Sequence, residues 1–428
     1  MVLAVLTAGG VASMLGSCAA DEYADEREVA LRFSVDTLSF DTLFTTMGST
    51  TRQVKVYNPT SHDVRIAEVT LEGGRASRFR LNVDGDTSLV ARQIELLAGD
   101  SMFIFVQVNV APNDQTQPFV IEDAIRFSNG QRLPLSAWGR NAVYHQLRPT
   151  DSTWYCVIDC EGWDHTRPHV LLGSAAVLDG HTLTLTAGDE LYFGDGAMLI
   201  FDTNATLQAT GTAEQPVLFT SLRHDGWYSF LPGQWQCLLF TGGSHGSVID
   251  HAVVENGTGG LRAYPDASFT IRNSVIRSMS DCALIGQGGA IAGSNLLVYD
   301  CLTAFTALGG GSYEFSRCTF ANYWRYNSRK LPSVVLTNCV YAADGSVARR
   351  ADLEKADFAD CIVYGNRYEG EFVASGVEGV ALNYRFLHSL VRGGEWDDDP
   401  LFVDPENDDY RLQEGSPAEG IGYMFDNQ

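Results

Sequence analysis

The sequence predicts an all-β protein in which a β-sandwich is followed by a parallel β-solenoid. Two observations predict this fold class. A short phrase, in which a small or thiol residue adjoins a β-branched run, returns about every 22 residues along the second half of the chain, whereas the first 140 residues hold short segments that alternate apolar and polar side chains. Long apolar segments with the 3.6-residue period of a helix are scarce.

The repeat is followed through one small polar or thiol position in each unit. The steps between these positions are 23, 21, 23, 21, 22 and 28 residues, and the positions are His251, Ser274, Asn295, Cys318, Cys339, Cys361 and Ser389. A unit of this length has too little room for a helix, but it suits one coil of a solenoid, which buries its apolar face only by stacking on its neighbours. Because stacked coils place like residues on like, we expect an inward ladder of Ser274, Cys318, Cys339, Cys361 and Ser389.

The segment 29–142 lacks the repeat and is predicted to be the sandwich. Turn signals such as Asn58-Pro59 and Asn129-Gly130 separate its alternating runs. Regularly spaced short strands with one apolar face are typical of a β-sandwich. The runs lie at 29–33, 53–57, 64–69, 103–108 and 124–127.

Residues 143–169 are interpreted as a linker, and residues 170–422 as the solenoid with a C-terminal cap. The linker carries Cys156 and Cys160, which could form a small disulfide in an oxidising compartment or remain reduced. The cysteines of the repeat are expected to be free thiols, because buried cysteine behaves as a small apolar residue.

The formal net charge is −24, from 53 acidic and 29 basic residues. A field of this sign repels nucleic acid and anionic membrane faces, so neither is expected as a general partner.

The first 17 residues carry no charge, are small and apolar, and lead into Leu15-Gly16-Ser17-Cys18. So short a span is typical of a signal peptide rather than a membrane helix. Its last four residues resemble a bacterial lipobox, which implies that Cys18 is acylated and holds the protein to a bilayer. The acidic tether 18–28 resembles the export signal of Bacteroidetes surface lipoproteins, which implies the extracellular face of the outer membrane. A lipoprotein that faces the periplasm is the alternative.

Three further regions carry a family resemblance. Ala187–Phe193 and Thr206–Thr212 resemble the opening coils of right-handed parallel β-helix proteins, the pectate-lyase-like superfamily, and Asp399–Asp404 with Gly415–Ala418 resembles the closing segment of such proteins from Bacteroidetes. The segment 29–142 resembles the immunoglobulin-like domains of secreted bacterial proteins. The resemblance implies a right-handed parallel β-helix behind an immunoglobulin-like sandwich.

The pectate-lyase-like fold hosts lyases, hydrolases, adhesins and scaffolds, so the fold alone does not assign a reaction. A lyase needs carboxylates beside an Arg or Lys, and a hydrolase needs paired carboxylates. Acidic residues are scattered in the coils, although Asp281 and Asp300 could stack as a pair. Ser244 matches the letters of a nucleophile elbow but joins two strands of a solenoid, where that motif does not work. No catalytic residue is assigned.

No metal ligand or cofactor is assigned either. The acidic residues between 395 and 409 offer enough oxygen atoms for Ca²⁺, but they lack EF-hand spacing. A solvated C-terminal cap is the alternative interpretation.

Insertions interrupt the coils around 222–235, 322–330 and 345–372 and concentrate aromatic and basic residues. Solenoids place such insertions on one side, which is often the binding side. Aromatic rings and Arg anchor protein interfaces. The alternative is that the rings only cover open solenoid edges. The candidate binding residues are Trp227, Tyr228, Trp235, Tyr323, Trp324, Arg325, Tyr326, Arg329 and Lys330.

These patterns favour a non-enzymatic binding or scaffold lipoprotein of the outer membrane, whose loops engage an envelope protein or a glycan. A polysaccharide lyase or hydrolase is the alternative. A cluster of carboxylates beside an Arg or Lys would distinguish the two.

Overall fold

The computed structural model describes residues 23–147, 153–223, 226–367 and 369–425. The predicted signal peptide, the predicted lipidation site Cys18 and residues 19–22 of the tether lie outside this part of the chain. Within the described part no helix is long and apolar enough to cross a membrane. The chain divides into two compact units between Asn141 and Ala142.

The first unit consists of two facing sheets, ordered β1-β3-β7-β5 and β2-β9-β8-β4-β6. Alternation explains why they face each other: along β7 the side chains of Met102, Ile104, Val106 and Val108 are buried and those between them are not. Buried residues of both sheets form one core. The predicted sandwich-like arrangement is therefore confirmed. The strands are β1 (Arg32–Phe33), β2 (Leu38–Phe44), β3 (Arg52–Tyr57), β4 (Val64–Leu71), β5 (Phe79–Val83), β6 (Val90–Leu96), β7 (Ser101–Val108), β8 (Phe119–Phe127) and β9 (Arg132–Arg140).

The second unit is dominated by one nearly closed parallel sheet, so the predicted solenoid-like architecture is confirmed. Each strand pairs in parallel with the equivalent strand of the next coil, as in Val253↔Val275. Its first strands are β10 (Val143–His145), β11 (Cys156–Val157), β12 (His169–Leu171), β13 (Ala175–Val177), β14 (Thr182–Leu185), β15 (Glu190–Phe193), β16 (Leu199–Phe201), β17 (Thr206–Thr210), β18 (Val217–Ser221), β19 (Leu238–Phe240), β20 (Ser247–Asp250), β21 (Ala252–Glu255) and β22 (Gly259–Ala263).

The sheet then continues through two long strands that turn corners, and it ends on short ones. These strands are β23 (Ser268–Gly286), β24 (Ala290–Ala307), β25 (Gly311–Ser316), β26 (Thr319–Asn322), β27 (Val334–Thr337), β30 (Leu353–Ala359), β31 (Ile362–Gly365), β32 (Phe372–Ser375), β33 (Arg385–Leu387) and β34 (Leu390–Val391). Antiparallel hairpins are formed by β28 (Cys339–Tyr341) with β29 (Val347–Arg350) and by β35 (Phe402–Asp404) with β36 (Asp409–Leu412). Short 3-10 helices span Glu26–Glu28, Gly74–Ala76, Gly226–Phe230 and Pro405–Asn407.

Strands β10 and β11 lie inside the segment interpreted as a linker, and both pair with later strands of the parallel sheet. The solenoid pairing therefore begins at Val143. Cys156 is buried and Cys160 is half-buried, and the structure has no disulfide between these two described residues.

The inward ladder is present with one correction. Ser274 and Cys318 occupy it on either side of Leu296, and Cys361 and Ser389 follow, with the Cys361 amide donating to Ser389 Oγ at 2.9 Å. Cys339 does not belong to this ladder, because it lies in the antiparallel β28–β29 hairpin. The phrase around Cys339 is thus an insertion within one long coil.

A left-handed backbone residue precedes each ladder position and turns the chain. Asn, Asp and His tolerate this conformation better than most residues, which explains why they recur there. The residues, all with φ between 45° and 52°, are His251, Asn273, Asn295, Arg317, Asp360 and His388.

The C-terminal segment returns over the outer face of the last coils. Phe402, Tyr410 and Ile421 pack there with Tyr299 and Tyr364 in a second apolar cluster. This segment, 396–425, is called the C-terminal strap below.

Candidate functional site

Three insertions leave the solenoid at the same bend. Strand register shows the equivalence: Tyr299 pairs with Ala321, and Asn322 with Gly365, so the chain leaves β26 and β31 at matching positions. Strand β18 lies one coil before β21 and pairs with it in register. The first insertion begins directly after β18. The described residues of 222–235, 323–333 and 366–371 therefore line one edge of the solenoid, called the loop edge below.

The first insertion exposes two aromatic rings. Its 3-10 helix, Gly226–Phe230, leaves Trp227 74% and Phe230 71% exposed. The Tyr228 ring is covered on one face by the guanidinium of Arg223, 3.2 Å from the ring centroid. Trp235 differs, because it is buried, stacks on Phe193 at a centroid distance of 4.2 Å and anchors the base of the insertion.

The second insertion is held by buried side chains. Trp324 is buried, and its Nε1 donates to Asn327 Oδ1 at 3.1 Å. Arg329 is also buried and forms an ion pair with Glu371 of the third insertion. Tyr323 packs toward Tyr410 of the C-terminal strap, with ring centroids 6.0 Å apart. These side chains stabilise the loop rather than face solvent, whereas Arg325 and Lys330 are exposed.

The first two insertions meet over the coils between them. The Tyr326 hydroxyl donates to the carbonyl oxygen of Phe230 at 2.6 Å. A Cβ at Gly233 would lie 2.8 Å from Ser280 Oγ, which shows how closely the first insertion approaches the neighbouring bend. The backbone at Phe230 is thereby held next to the second insertion.

A buried carboxyl group lies under this junction. Asp300 is 4% exposed, and Arg325 Nε lies 3.7 Å from its Oδ2. Arg325 also forms an ion pair with Asp408 of the C-terminal strap. Burial raises the pKa of Asp300 to about 6, although Arg325 opposes the shift. Within the described residues Asp300 Oδ1 has no hydrogen-bond partner.

The possible Asp281–Asp300 pair is wrong. Arg277 pairs with Tyr299, which places Asp300 beside Ser278 of the preceding coil, and the register shifts between Met279 and Cys282. The second carboxyl group near Asp300 is that of Asp408, because Arg325 contacts both Asp300 and Asp408. A carboxyl with a pKa near 6 can exchange a proton near neutral pH.

The other candidates have local roles. The Ser244 hydroxyl is buried and donates to the Ala205 carbonyl oxygen at 2.7 Å. In the acidic C-terminal run, Asp409 binds Arg411. Within the described residues no group of three or more His, Cys, Asp or Glu is placed to hold a metal ion.

Sequence reasoning missed Phe230, and it named Asp300 but not its partners Arg325 and Asp408. Phe230 lies in the same inserted aromatic run as Trp227, so its composition could have identified it. Asp300 gives no local signal, because Arg325 and Asp408 come from distant segments of the chain.

No family model matches the chain, and no curated protein matches it.

Proposed function

We propose that the protein is a non-enzymatic binding or scaffold lipoprotein whose loop edge engages an envelope protein or a glycan. The lipobox and acidic tether of residues 15–28 support an acyl anchor in the outer membrane with the protein on the extracellular face. The resemblance of the coils supports a right-handed β-helix, and that of residues 29–142 supports an immunoglobulin-like sandwich.

The observation that carries the proposal is the exposure of Trp227 and Phe230 on a braced loop. Burying such a side chain is favourable by roughly 1.5–3 kcal/mol of free energy. Two rings left exposed therefore favour a surface that a ligand covers. Aromatic rings anchor protein interfaces, and their faces also suit sugars. Because Tyr326 bonds to the Phe230 backbone, the loop loses less conformational freedom on binding.

Extraction of the tagged, full-length protein in mild detergent tests this proposal, with mass spectrometry of the molecules that co-purify. The double variant Trp227→Ala/Phe230→Ala is compared with Leu97→Ala, an apolar residue of the first unit that is 56% exposed. We expect a stoichiometric protein or glycan with the wild type and Leu97→Ala, and its loss in the double variant. Recovery of the same molecule with all three proteins would contradict the proposal.

A polysaccharide lyase or hydrolase is the second candidate, and Asp300 is the observation that favours it. A buried carboxyl with a raised pKa beside Arg325 and near Tyr326 combines groups used in acid–base chemistry. Incubation with a panel of acidic and neutral polysaccharides, followed by detection of new reducing ends and of unsaturated products, tests it. Cleavage that Asp300→Asn abolishes would favour this candidate over the binding protein.

A further inference from the structure

The strands of the four-stranded sheet β1-β3-β7-β5 present only positive charge on their outer face. They contain no Asp or Glu, although the chain holds 53 acidic and 29 basic residues. They contain four basic residues, of which Arg52 pairs with Asp41. The other three, Arg32, Lys55 and Arg80, alternate with side chains of the sandwich core and therefore face outward.

Lys55 and Arg80 have no carboxylate partner among the described residues. Lys55 Nζ instead lies 5.5 Å from the centroid of the Phe103 ring. Arg80 Nη1 donates to the carbonyl oxygens of Ser77 and Phe79, both at 2.7 Å. In a chain of net charge −24, two cations without an internal carboxylate are available to an anion from outside.

The outer face of the five-stranded sheet carries a different charge pattern. Its exposed arginines pair with glutamates, at 2.6 Å for Arg65–Glu95 and 3.1 Å for Arg92–Glu68. Charges are thus complemented within the chain on that sheet, whereas the four-stranded sheet leaves its cations uncomplemented. An anionic ligand is therefore attracted to the four-stranded sheet rather than to its neighbour.

Two aromatic rings lie between Lys55 and Arg80. Phe103 and Phe105 are 40% and 38% exposed, and their rings stack with centroids 6.2 Å apart. Lys55 is directly opposite Phe103, and Arg80 is opposite Gln107, two residues beyond Phe105. This diagonal covers two strand spacings and four residues of rise, roughly 17 Å in all. The four residues Lys55, Phe103, Phe105 and Arg80 are called the cationic face below.

We propose that the cationic face binds an acidic polysaccharide. Sugar rings have apolar C–H faces that stack on the rings of Phe103 and Phe105. Their carboxylate or sulfate groups accept charged hydrogen bonds from Lys55 and Arg80, which are stronger than neutral ones. The diagonal is long enough for several sugar units. This site lies in the first unit and is additional to the loop edge.

Other polyanions fit the cationic face less well. Peptides dock on free sheet edges or in grooves, whereas this face is the flat middle of a sheet. A nucleic acid strand carries one phosphate per roughly 3.4 Å, hence about five over the diagonal, against two cations. A polysaccharide with one charge on each sugar or on alternate sugars matches two cations better.

Carboxylates in the turns direct the ligand toward Arg80. Asp84 and Asp86 follow β5 and Asp100 precedes β7, so all three lie at the end of the sheet away from Arg80. At the Arg80 end, the exposed Arg78 immediately precedes β5 and adds a further cation. The acidic groups of the polysaccharide are therefore expected at Arg80 and Lys55, and not at the turns.

Native electrophoresis of the full-length protein in gels that contain alginate, hyaluronan or chondroitin sulfate tests the proposal, with neutral dextran as the reference. We expect at least one acidic polymer, but not dextran, to retard the wild type. Lys55→Met and Phe103→Ala/Phe105→Ala should each weaken binding about fivefold or more. The matched controls on the five-stranded sheet, Arg92→Met and Trp138→Ala, should bind like the wild type.

The loop-edge variant Trp227→Ala/Phe230→Ala should also bind the acidic polymer like the wild type, so the two sites can fail independently. Absence of retardation by all three polymers would overturn the proposal. Loss of binding in Arg92→Met, Trp138→Ala or the loop-edge variant equal to that in Lys55→Met would overturn it too.

Competition in solution tests the class of ligand. Displacement by poly-glutamate or oligo-thymidylate at lower concentration than by the free polysaccharide would overturn the proposal in favour of a protein or a nucleic acid. Circular dichroism of each variant verifies that it is folded.

Discussion

The guanidinium of Arg329 forms an ion pair with the carboxylate of Glu371 that is almost fully removed from water, with side-chain exposures of 2% and 0%. Glu371 also accepts hydrogen bonds from the Ser333 amide and hydroxyl at 2.9 and 2.8 Å, and from the Arg367 amide at 3.0 Å. The pair therefore joins the second and third insertions of the loop edge. Arg329, which the sequence predicts to contact a ligand, instead holds the loop edge together.

Replacing Glu371 with Gln is expected to destabilise the solenoid strongly. The substitution preserves shape but leaves the Arg329 charge buried without its partner, and breaking one side of a buried pair costs about 3–5 kcal/mol. Urea unfolding followed by tryptophan fluorescence measures the loss. The matched control is Glu314→Gln, which breaks a 2.7 Å pair with Lys355 whose side chains are 60% and 37% exposed.

We expect Glu314→Gln to cost less than about 1 kcal/mol, since exposed pairs contribute little. Equal losses of unfolding free energy in the two variants would contradict the structural role given to Arg329.

Removing the Tyr326 hydroxyl should weaken ligand binding without unfolding the protein. Tyr326→Phe deletes the 2.6 Å bond to the Phe230 carbonyl, and a net hydrogen bond contributes about 1 kcal/mol to holding the loop. We therefore expect affinity to fall about fivefold, measured by titration with the co-purified ligand. Tyr57→Phe, in the first unit, is the control. Unchanged affinity in Tyr326→Phe would show that the junction of the two insertions does not organise the site.

The ladder cysteines should resist thiol reagents in the folded protein. Cys318 and Cys361 are fully buried, and burial raises the pKa of the Cys318 thiol well above its ordinary value, so little thiolate forms. Cys160 is half-buried, and burial raises its pKa less severely. Alkylation at pH 8 followed by peptide mapping should label Cys160 first. Labelling of Cys318 at a similar rate without denaturant would contradict the buried ladder.

Acid should destabilise the first coils through His145. Its Nε2 lies 2.8 Å from His169 Nδ1, and burial together with His169 lowers the pKa of His145 to about 4. A histidine whose pKa is lowered on folding contributes stability above its unfolded pKa of about 6.5, and this contribution is lost as the pH falls toward 4. We expect a loss of up to about 3 kcal/mol over this interval.

The test compares the unfolding free energy of wild type and His145→Gln in urea at several pH values. The variant should be less stable than the wild type at pH 7 and should lose less stability toward pH 4. Parallel curves for the two proteins would show that His145 does not carry the pH dependence.

The repeat predicted the parallel sheet because each coil contains the same local feature. A residue with left-handed backbone, such as Asn273 or Asp360, precedes a residue whose side chain faces inward. The same local pattern misled at Cys339. Its neighbours have the letters of a coil, but Cys339 pairs antiparallel with Arg350, and a short phrase does not encode the direction of its partner.

Composition located the first two insertions but not the orientation of their rings. The predicted interruption at 345–372 is mostly strand, since β29, β30 and β31 lie within it. Trp227 and Trp235 are both tryptophans of the first insertion, so residue type does not distinguish them. Trp235 is buried because it stacks on Phe193 of an earlier coil. The environment of Asp300 likewise depends on segments that meet only after folding. Solvent exposure and pKa are thus tertiary properties that a single sequence does not reveal.

If the protein binds through its loop edge, ligand contacts concentrate at Trp227 and Phe230. A photo-crosslinking amino acid introduced at position 227, 230 or 97 of the full-length protein, in cells that produce it, measures where the ligand lies. We predict that positions 227 and 230 capture one common molecule and that position 97, on the first unit, does not. Capture of the same molecule from position 97, or none from positions 227 and 230, would contradict it.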